Sequence, residues 1–241
     1  MPEMVKINQR KGVDLNETRI LNFAIGIAVI IILILVLVIY YCLSGQPLNY
    51  ENEGIIQGDN DTNSLVVYFT RAKAINHDDN VNSDSHASVQ VENNQIEGNT
   101  EIMAKMIQEK TDSDLYAITV DKSYRSPFLA TSLRAWVEKQ FNMHPELTNL
   151  PDDIDKYDVI YIGFPIWWYQ EPMAVDTFLE SYNFDSKTII PFCTSTSSSI
   201  EQSMTSIQNI CPQATVLEGL RLQQANETEI DQWLQNINPG N

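Results

Sequence analysis

Residues 157–168 read YDVIYIGFPIWW, and this stretch decides the fold class of the chain. Its central run, VIYIGF, is apolar without alternation, and so is the run TIIPFC at residues 188–193. Continuous apolar runs of this length are typical of parallel strands that are buried on both faces of a sheet. The two runs together therefore favour an α/β protein.

Three further short apolar runs lie around this pair, at residues 65–70, 115–120 and 215–220. Amphipathic stretches follow the five runs, at residues 100–110, 129–141, 173–182, 200–210 and 227–237. Repeated alternation of strand and helix predicts a doubly wound α/β sheet. Ligands of such sheets bind outside the carboxyl ends of the strands, so the loops after the strands are the places to look for a site.

An uncharged apolar stretch precedes the α/β region. Residues 23–43 read FAIGIAVIIILILVLVIYYCL, and a helix of this length spans about 30 Å, the thickness of the hydrocarbon core of a bilayer. A buried core helix of this length would normally have a polar face, and a cleavable signal peptide has a shorter apolar run. We therefore predict a transmembrane helix over residues 20–43.

The basic residues near this helix lie on one side of it. Lys6, Arg10, Lys11 and Arg19 precede the apolar stretch, and the next basic residue is Arg71. The positive-inside rule then predicts a single-pass membrane protein with a cytoplasmic N-terminus and an extracytoplasmic domain. Residues 1–19 would form the short cytoplasmic tail.

The composition of the remaining residues indicates a linker, a domain and an insert within that domain. Residues 44–63 are polar and contain Gly and Pro, so we expect a flexible tether, with the α/β domain covering residues 64–241. Within the domain, residues 72–97 are expected to be a polar surface insert, because their His and Asp residues have no metal-site spacing. The net charge of −17 argues against binding to a phosphate backbone, and we predict no nucleic-acid partner.

Three loops after predicted strands carry residues that suit a nucleotide. Thr70 ends a strand and Asn99 and Thr100 open a helix, where backbone amides attract an anion, although the same residues also make an ordinary helix cap. Trp167 and Trp168 follow another strand and suit stacking on a ring, or else one is a core residue and the other a surface residue. Residues 193–199 read CTSTSSS, which suits hydrogen bonding to a polar ring edge or a simple Ser-rich turn.

These loops and the strands before them resemble the flavodoxin family, specifically the flavodoxin-like group in which an insert interrupts the phosphate loop. The resemblance extends over residues 64–234 and is carried by LVVYFTRA, GNTEIMAKMI, YDVIYIGFPIWW and KTIIPFCTS. It implies a doubly wound, five-stranded parallel sheet of order 2-1-3-4-5 and noncovalently bound FMN. The apolar helix and the tether lie outside it.

The resemblance also assigns residues to the parts of FMN. It implies that the phosphate is held by Thr70, Arg71, Asn99 and Thr100, that the isoalloxazine is flanked by Pro165, Ile166, Trp167 and Trp168, and that the far edge of the ring is lined by Thr194, Ser195, Thr196 and Ser199. Relatives often have Gly where this chain has Tyr169 and residues 196–199. Side chains at these positions restrict close backbone approach and positive φ.

Three functions are compatible with these features. The favoured one is a membrane-tethered FMN protein that carries electrons between redox partners, with an acidic surface that suits a basic partner protein. The second is an FMN-dependent NAD(P)H:quinone or small-acceptor oxidoreductase, in which nicotinamide would bind over the flavin because the chain has no GxGxxG motif. The third is a surface interaction module that has lost its flavin.

Overall fold

The computed structural model of this chain describes residues 15–50, 54–59, 62–76, 90–92 and 95–237. The chain divides into two units, one ending at Tyr41 and one beginning at Cys42. Residues 1–14, which contain Lys6, Arg10 and Lys11 of the predicted cytoplasmic tail, lie outside the described residues.

Helices and strands alternate through the second unit. In chain order the helices are α1 (Leu15–Leu43), α2 (Asn99–Thr111), α3 (Phe128–Gln140), α4 (Met173–Glu180), α5 (Glu201–Ile210) and α6 (Glu227–Ile237). The strands are β1 (Ser64–Tyr68), β2 (Gln90–Glu92), β3 (Gln95–Glu97), β4 (Asp114–Ala117), β5 (Thr119–Val120), β6 (Leu147–Thr148), β7 (Val159–Pro165), β8 (Thr188–Thr194), β9 (Thr215–Val216) and β10 (Leu220–Leu222). A short 3-10 helix covers Arg71–Lys73.

The first unit is formed by α1, which is apolar over most of its length. Residues Arg19–Leu43 form a stretch of 25 residues in which Arg19 is the one charged residue. This length and composition suffice to cross a membrane, and a signal sequence near an N-terminus has the same properties. The helix is therefore a candidate membrane span.

A parallel sheet forms the centre of the second unit. Its strands lie in the order β4-β1-β7-β8-β10, and β9 is a sixth strand that pairs with β8. All of these neighbours are parallel. Two small antiparallel sheets, β2-β3 and β5-β6, lie apart from it. The prediction of an α/β flavodoxin-like fold with a parallel sheet is confirmed.

Both faces of the central sheet are buried, which explains the continuous apolar runs. In β1, Leu65 and Val67 pack into one core with residues of α4 and α5, and Val66 packs into a second core with residues of α2 and α6. Each fully buried aliphatic side chain of this kind contributes about 1.5–3 kcal/mol relative to an exposed one. The packing of helices on both faces fixes the sheet edges where the loops emerge.

Two predicted strands are divided in the structure. The run at 215–220 becomes β9 and β10, and Gly219 lies between them, where a Cβ atom would be 2.7 Å from Ile200 Cδ1 and 2.9 Å from the Pro191 carbonyl oxygen. The run at 115–120 becomes β4 and β5, and β5 leaves the central sheet to pair with β6. Both divided runs contact segments that are distant in the chain.

The stretch predicted as a flexible tether, residues 44–63, differs from expectation where it is described. Residues 44–50, which we call the leading segment, bond to the domain, for example from the Leu48 N–H to the Asp121 carbonyl at 3.3 Å. Further along, Ile56 and Leu115 exchange two backbone hydrogen bonds of 2.8 Å. These residues therefore lie against the domain instead of extending freely.

The predicted polar insert, residues 72–97, also differs at its start. Ala72, Ala74 and Ile75 are buried, so the first residues of the insert belong to the core of the domain. Its end forms the hairpin of β2 and β3. The central part, residues 77–89 with its His and Asp residues, lies outside the described residues, as do residues 93–94.

Candidate functional site

Three neighbouring strands of the central sheet end at the same edge. The register pairs Tyr68 of β1 with Gly163 of β7, and Pro165 of β7 with Thr194 of β8. The chain stays attached to β8 beyond this pair, because the Ile166 N–H donates to the Thr194 carbonyl at 3.0 Å. The three loops that carry the predicted motifs therefore start side by side.

The polar end of the site lies beside the start of α2. Thr70, Asn99 and Thr100 are each at most 2% exposed. The hydroxyl groups of Thr100 and Thr194 are hydrogen-bonded at 2.8 Å. Helix α2 begins at Asn99, and its N-cap, Gly98, has no side chain with which to cap the helix. Buried hydroxyl groups and the partial positive charge of a helix N-terminus together suit an anionic group.

Arg71, which directly follows Thr70, has a buried guanidinium group that contacts the residues at the start of α3 and lines a cavity. Its Nε donates to the Thr131 hydroxyl at 3.5 Å, and a terminal nitrogen donates to the Ser126 carbonyl. Burial lowers the pKa of Arg71, although an arginine stays protonated in any ordinary environment. The guanidinium group therefore adds a fixed positive charge with directed donors, which suits phosphate or carbonyl oxygens.

A cavity of about 370 Å³ opens next to Arg71, within the size range of small-molecule sites. Its walls combine aromatic rings with hydroxyl groups. The lining residues are Arg71, Phe128, Thr131, Ser132, Ala135, Ile166, Trp167, Trp168, Tyr169, Thr196, Ser197 and Ser198. This combination suits a flat aromatic ligand with a polar edge.

A tight hairpin carries the aromatic wall. Trp167 and Gln170 exchange two backbone hydrogen bonds, of 2.7 and 3.2 Å. The two residues between them are left-handed, with φ of 51° at Trp168 and 73° at Tyr169. Two-residue hairpin turns of this kind favour Asn and Gly, and a bulky residue there costs about 1–2 kcal/mol. The hairpin is therefore a strained segment at the edge of the cavity.

Contacts with α3 hold this hairpin in place. The Trp168 indole N–H donates to the Ser132 carbonyl at 2.8 Å, and the Lys139 ammonium group donates to the Trp168 carbonyl. The charge of Lys139 also interacts with the buried carboxyl groups of Glu171 and Asp176, which follow the hairpin in the chain. These contacts compensate for the strain of the turn.

The two tryptophans have different environments. The Trp167 ring meets Phe69 and Tyr124 edge-on, at centroid distances of 5.4 and 5.3 Å, so it belongs partly to the core. The Trp168 ring is 43% exposed. Both rings nevertheless line the cavity, so stacking and core packing are not exclusive alternatives here.

The loop after β8 is folded on itself. The Ser195 N–H donates to the Leu222 carbonyl at 2.9 Å, and the Ser195 hydroxyl accepts from the Ser198 N–H at 2.9 Å. Ser199 is exposed and its hydroxyl bonds to Glu201, which lowers the pKa of that carboxyl group. Thr196 lines the cavity, whereas Ser199 lies outside its lining.

Sequence reasoning missed several residues of the cavity wall. Phe128, Thr131, Ser132 and Ala135 come from α3, which follows no predicted motif. The amphipathic pattern of α3 predicts a helix, but it does not say which residues reach the sheet edge. Ser197 and Ser198 were also missed, although they belong to the Ser-rich loop from which Ser199 was selected.

Comparison with known proteins places these features in a family. The sequence model of a family described as Flavodoxin matches residues 88–237. No curated protein sequence matches the chain significantly.

Solved structures with the same fold come from bacteria. A protein assigned as a flavoprotein from Bacteroides eggerthii is 28% identical, with a TM-score of 0.58, over 74% of this chain and 99% of that chain. A second such protein, from Bacteroides uniformis, is 29% identical, with a TM-score of 0.57, over 73% of this chain and 99% of that chain. A flavoprotein from Lactobacillus acidophilus in complex with FMN is 21% identical, with a TM-score of 0.50, over 72% of this chain and 99% of that chain.

Proposed function

The chain belongs to the flavodoxin family, and we propose that its α/β domain binds FMN and carries electrons between redox partners while α1 anchors it in a membrane. Bound FMN would supply the redox chemistry, and the residues of the chain would bind and orient it. The flavodoxin-like fold is consistent with FMN binding and a redox role.

The juxtaposition of a buried polar end and an aromatic cavity carries this proposal. We propose that Thr70, Arg71, Asn99 and Thr100 hold the phosphate, because Asn99 and Thr100 open α2 and Thr70 and Arg71 are buried in the turn after β1. Such an arrangement binds an anion through directed hydrogen bonds and does not need a net-positive domain.

The ring system is assigned to the aromatic part of the site. Pro165, Ile166, Trp167 and Trp168 would flank the isoalloxazine, because the latter three line the cavity and Pro165 precedes them at the end of β7. The loop after β8 would meet the polar edge of the ring. In this loop the cavity lining favours Thr196, Ser197 and Ser198 over Ser199, while Thr194 and Ser195 hold the loop in place.

FMN titration of the full chain in detergent tests the proposal. We expect the absorption spectrum of bound flavin and quenching of its fluorescence. Thr100→Val should raise the Kd for FMN about tenfold or more, the effect of losing a hydrogen bond to a charged group. Thr111→Val is a matched control, since Thr111 lies at the other end of α2 and its hydroxyl bonds to the Ile107 carbonyl. A colourless protein that ignores FMN at high micromolar concentration would contradict the proposal.

The anchor and its orientation are a separate part of the proposal. The apolar span of α1 and the basic residues before it support a single-pass protein whose domain lies outside the cytoplasm. Protease added to intact cells should then remove the domain, whereas complete protection would contradict the orientation. A mature N-terminus beyond residue 43 would show that the helix is instead a cleaved signal.

A second candidate function is reduction of small acceptors. The outer wall of the cavity supports it, because Phe128 and Tyr169 are 59% and 66% exposed and leave room for a small molecule at the opening. Steady-state oxidation of NAD(P)H with a quinone by the FMN-loaded chain would favour this enzyme. Reduction only by a partner protein, slowed by added salt, would favour the carrier.

A further inference from the structure

We propose that the leading segment, residues 44–50, is a positioning element of the site, because it holds the loop of residues 71–76 that carries Arg71. This inference rests on the proposed binding of FMN. The family match begins at residue 88, so it does not cover the leading segment.

The leading segment is fixed to residues 121–125 of the domain. The Gln46 carbonyl accepts from the Ser123 N–H at 2.8 Å and from the Ser123 hydroxyl at 3.0 Å. A terminal nitrogen of Arg125 donates to the Ser44 carbonyl at 2.7 Å. Gly45 lies so close that a Cβ atom would be 2.2 Å from the Ser123 carbonyl oxygen. This approach leaves the segment little freedom.

The segment then bonds to the loop through two side chains. Asn76 donates to the Pro47 carbonyl at 3.0 Å and accepts from the Asn49 N–H at 2.7 Å, so one amide group ties the two backbones together. The Lys73 ammonium group donates to the Tyr50 hydroxyl at 2.9 Å and lies 4.2 Å from the centroid of the Tyr50 ring. The loop is therefore held at its middle and at its end.

The same loop reaches the phosphate end of the site. The backbone turn after Thr70 is closed by a bond from the Ala74 N–H to the Arg71 carbonyl at 3.0 Å. Lys73 also forms an ion pair of 3.4 Å with Glu101 in the first turn of α2. The leading segment thus connects to both halves of the split phosphate site, Thr70 and Arg71 on one side and the α2 N-terminus on the other.

Phosphate binding depends on such positioning, because donors displaced by a fraction of an ångström lose much of their hydrogen-bond energy. A positioning role for the segment predicts a loss that is selective for the phosphate. Riboflavin has the same ring system as FMN and no phosphate, so the two flavins separate local positioning from general loss of structure.

The experiment compares the full wild-type chain in detergent with Tyr50→Phe and Asn76→Ala, which delete bonds between the leading segment and the loop and add no charge. Tyr182→Phe and Asn63→Ala are matched controls, because they delete a Tyr hydroxyl bond to Pro151 and an Asn bond to Asp158 elsewhere in the domain. We measure the Kd for FMN, the Kd for riboflavin and, without flavin, hydrogen exchange of amides 70–76.

We expect faster exchange of these amides and a Kd for FMN raised about 3- to 10-fold in both test variants, with little change for riboflavin. Equal losses for the two flavins, or an unchanged Kd for FMN, would overturn the inference. If the wild-type chain binds neither flavin, the proposed function fails. In that case the hydrogen exchange of amides 70–76 still tests whether the leading segment orders the loop. Unchanged exchange in the two test variants would overturn the positioning role as well.

Discussion

The carboxyl group of Glu171 lies against that of Asp176 inside the domain, directly after the aromatic hairpin. Among the described residues, no N–H or O–H group donates a hydrogen bond to either Glu171 oxygen. Two carboxylates in contact repel each other, and they form a hydrogen bond only when one of them is protonated. The pair therefore binds a proton far more readily than a carboxyl group in water.

Burial is the main cause that raises the pKa of Asp176 to about 8. The negative charges of Glu171 and Glu180 raise this pKa further, whereas the positive charge of Lys139 lowers it. An unfolded Asp ionises near pH 4. Between these values the folded chain holds more protons than the unfolded chain, so the free energy of unfolding should fall as pH rises. Asp176→Asn should remove this decline and be more stable than wild type at pH 8 by roughly 1–3 kcal/mol.

Urea unfolding of the two proteins at a series of pH values between 5 and 9 measures this difference. Glu109→Gln, which neutralises an exposed carboxylate on α2, is the control and should follow wild type. If wild type and Asp176→Asn change in parallel with pH, the proton is not held by this pair.

Tyr169 has a left-handed backbone conformation, so Gly at this position should give a more stable protein than Ala, which is the reverse of the usual order. Tyr169→Gly and Tyr169→Ala both remove the ring, but only Gly accepts a φ of 73° without strain. The Gly variant should therefore be more stable than the Ala variant by about 1 kcal/mol. The same pair of substitutions at Gln213, an exposed turn position, should favour Ala. A more stable Ala variant at residue 169 would contradict the strain.

Gly163 allows β7 to lie against the ring of Phe192. A Cβ atom at Gly163 would be 2.2 Å from Phe192 Cζ, so Gly163→Ala forces the ring or the strand to move. The expected cost in the free energy of unfolding is about 1–3 kcal/mol. The double variant Gly163→Ala with Phe192→Leu should lose less than the two single variants together. Strict additivity would show that the two side chains do not meet.

Arg71→Lys tests the proposed phosphate contact of this residue. Lys keeps the charge but loses the planar fork that presents two donors at once. We expect the Kd for FMN to rise about tenfold and the Kd for riboflavin to change little. Equal weakening of both flavins would assign Arg71 to the ring, since its side chain also lines the cavity.

Much of the fold could be predicted because strands that are buried on both faces of a sheet have continuous apolar sequences. The runs VIYIGF and TIIPFC correspond to β7 and β8, with bounds that differ by one residue at the ends. The close approach of Gly219 to Ile200 and Pro191 could not be predicted, because both residues are distant from it in the chain. The flexible tether was expected from composition, yet backbone groups of residues 44–49 provide most of the hydrogen bonds that fix the leading segment to the domain.

The candidate site was predictable where a motif follows a strand. Thr194 and Thr100 were selected from separate loops, and their hydroxyl groups are bonded to each other in the structure. The contribution of α3 was not predictable, because helix packing decides that Ser132 and Thr131 reach the cavity. The strain at Tyr169 could be recognised only from two observations together. The family resemblance implied that Gly is common at this position, and the structure showed that Tyr169 has a positive φ.

The paired backbones of Ile56 and Leu115 have a consequence for work with fragments of this protein. Leu115 belongs to β4, the edge strand of the central sheet, and Ile56 occupies its outer hydrogen-bonding groups. A fragment that begins at Ser64 would leave this edge bare, and a bare edge recruits strands from other molecules. Ile56 thus covers part of this sheet edge, and we expect a fragment that lacks it to self-associate more readily than the full chain.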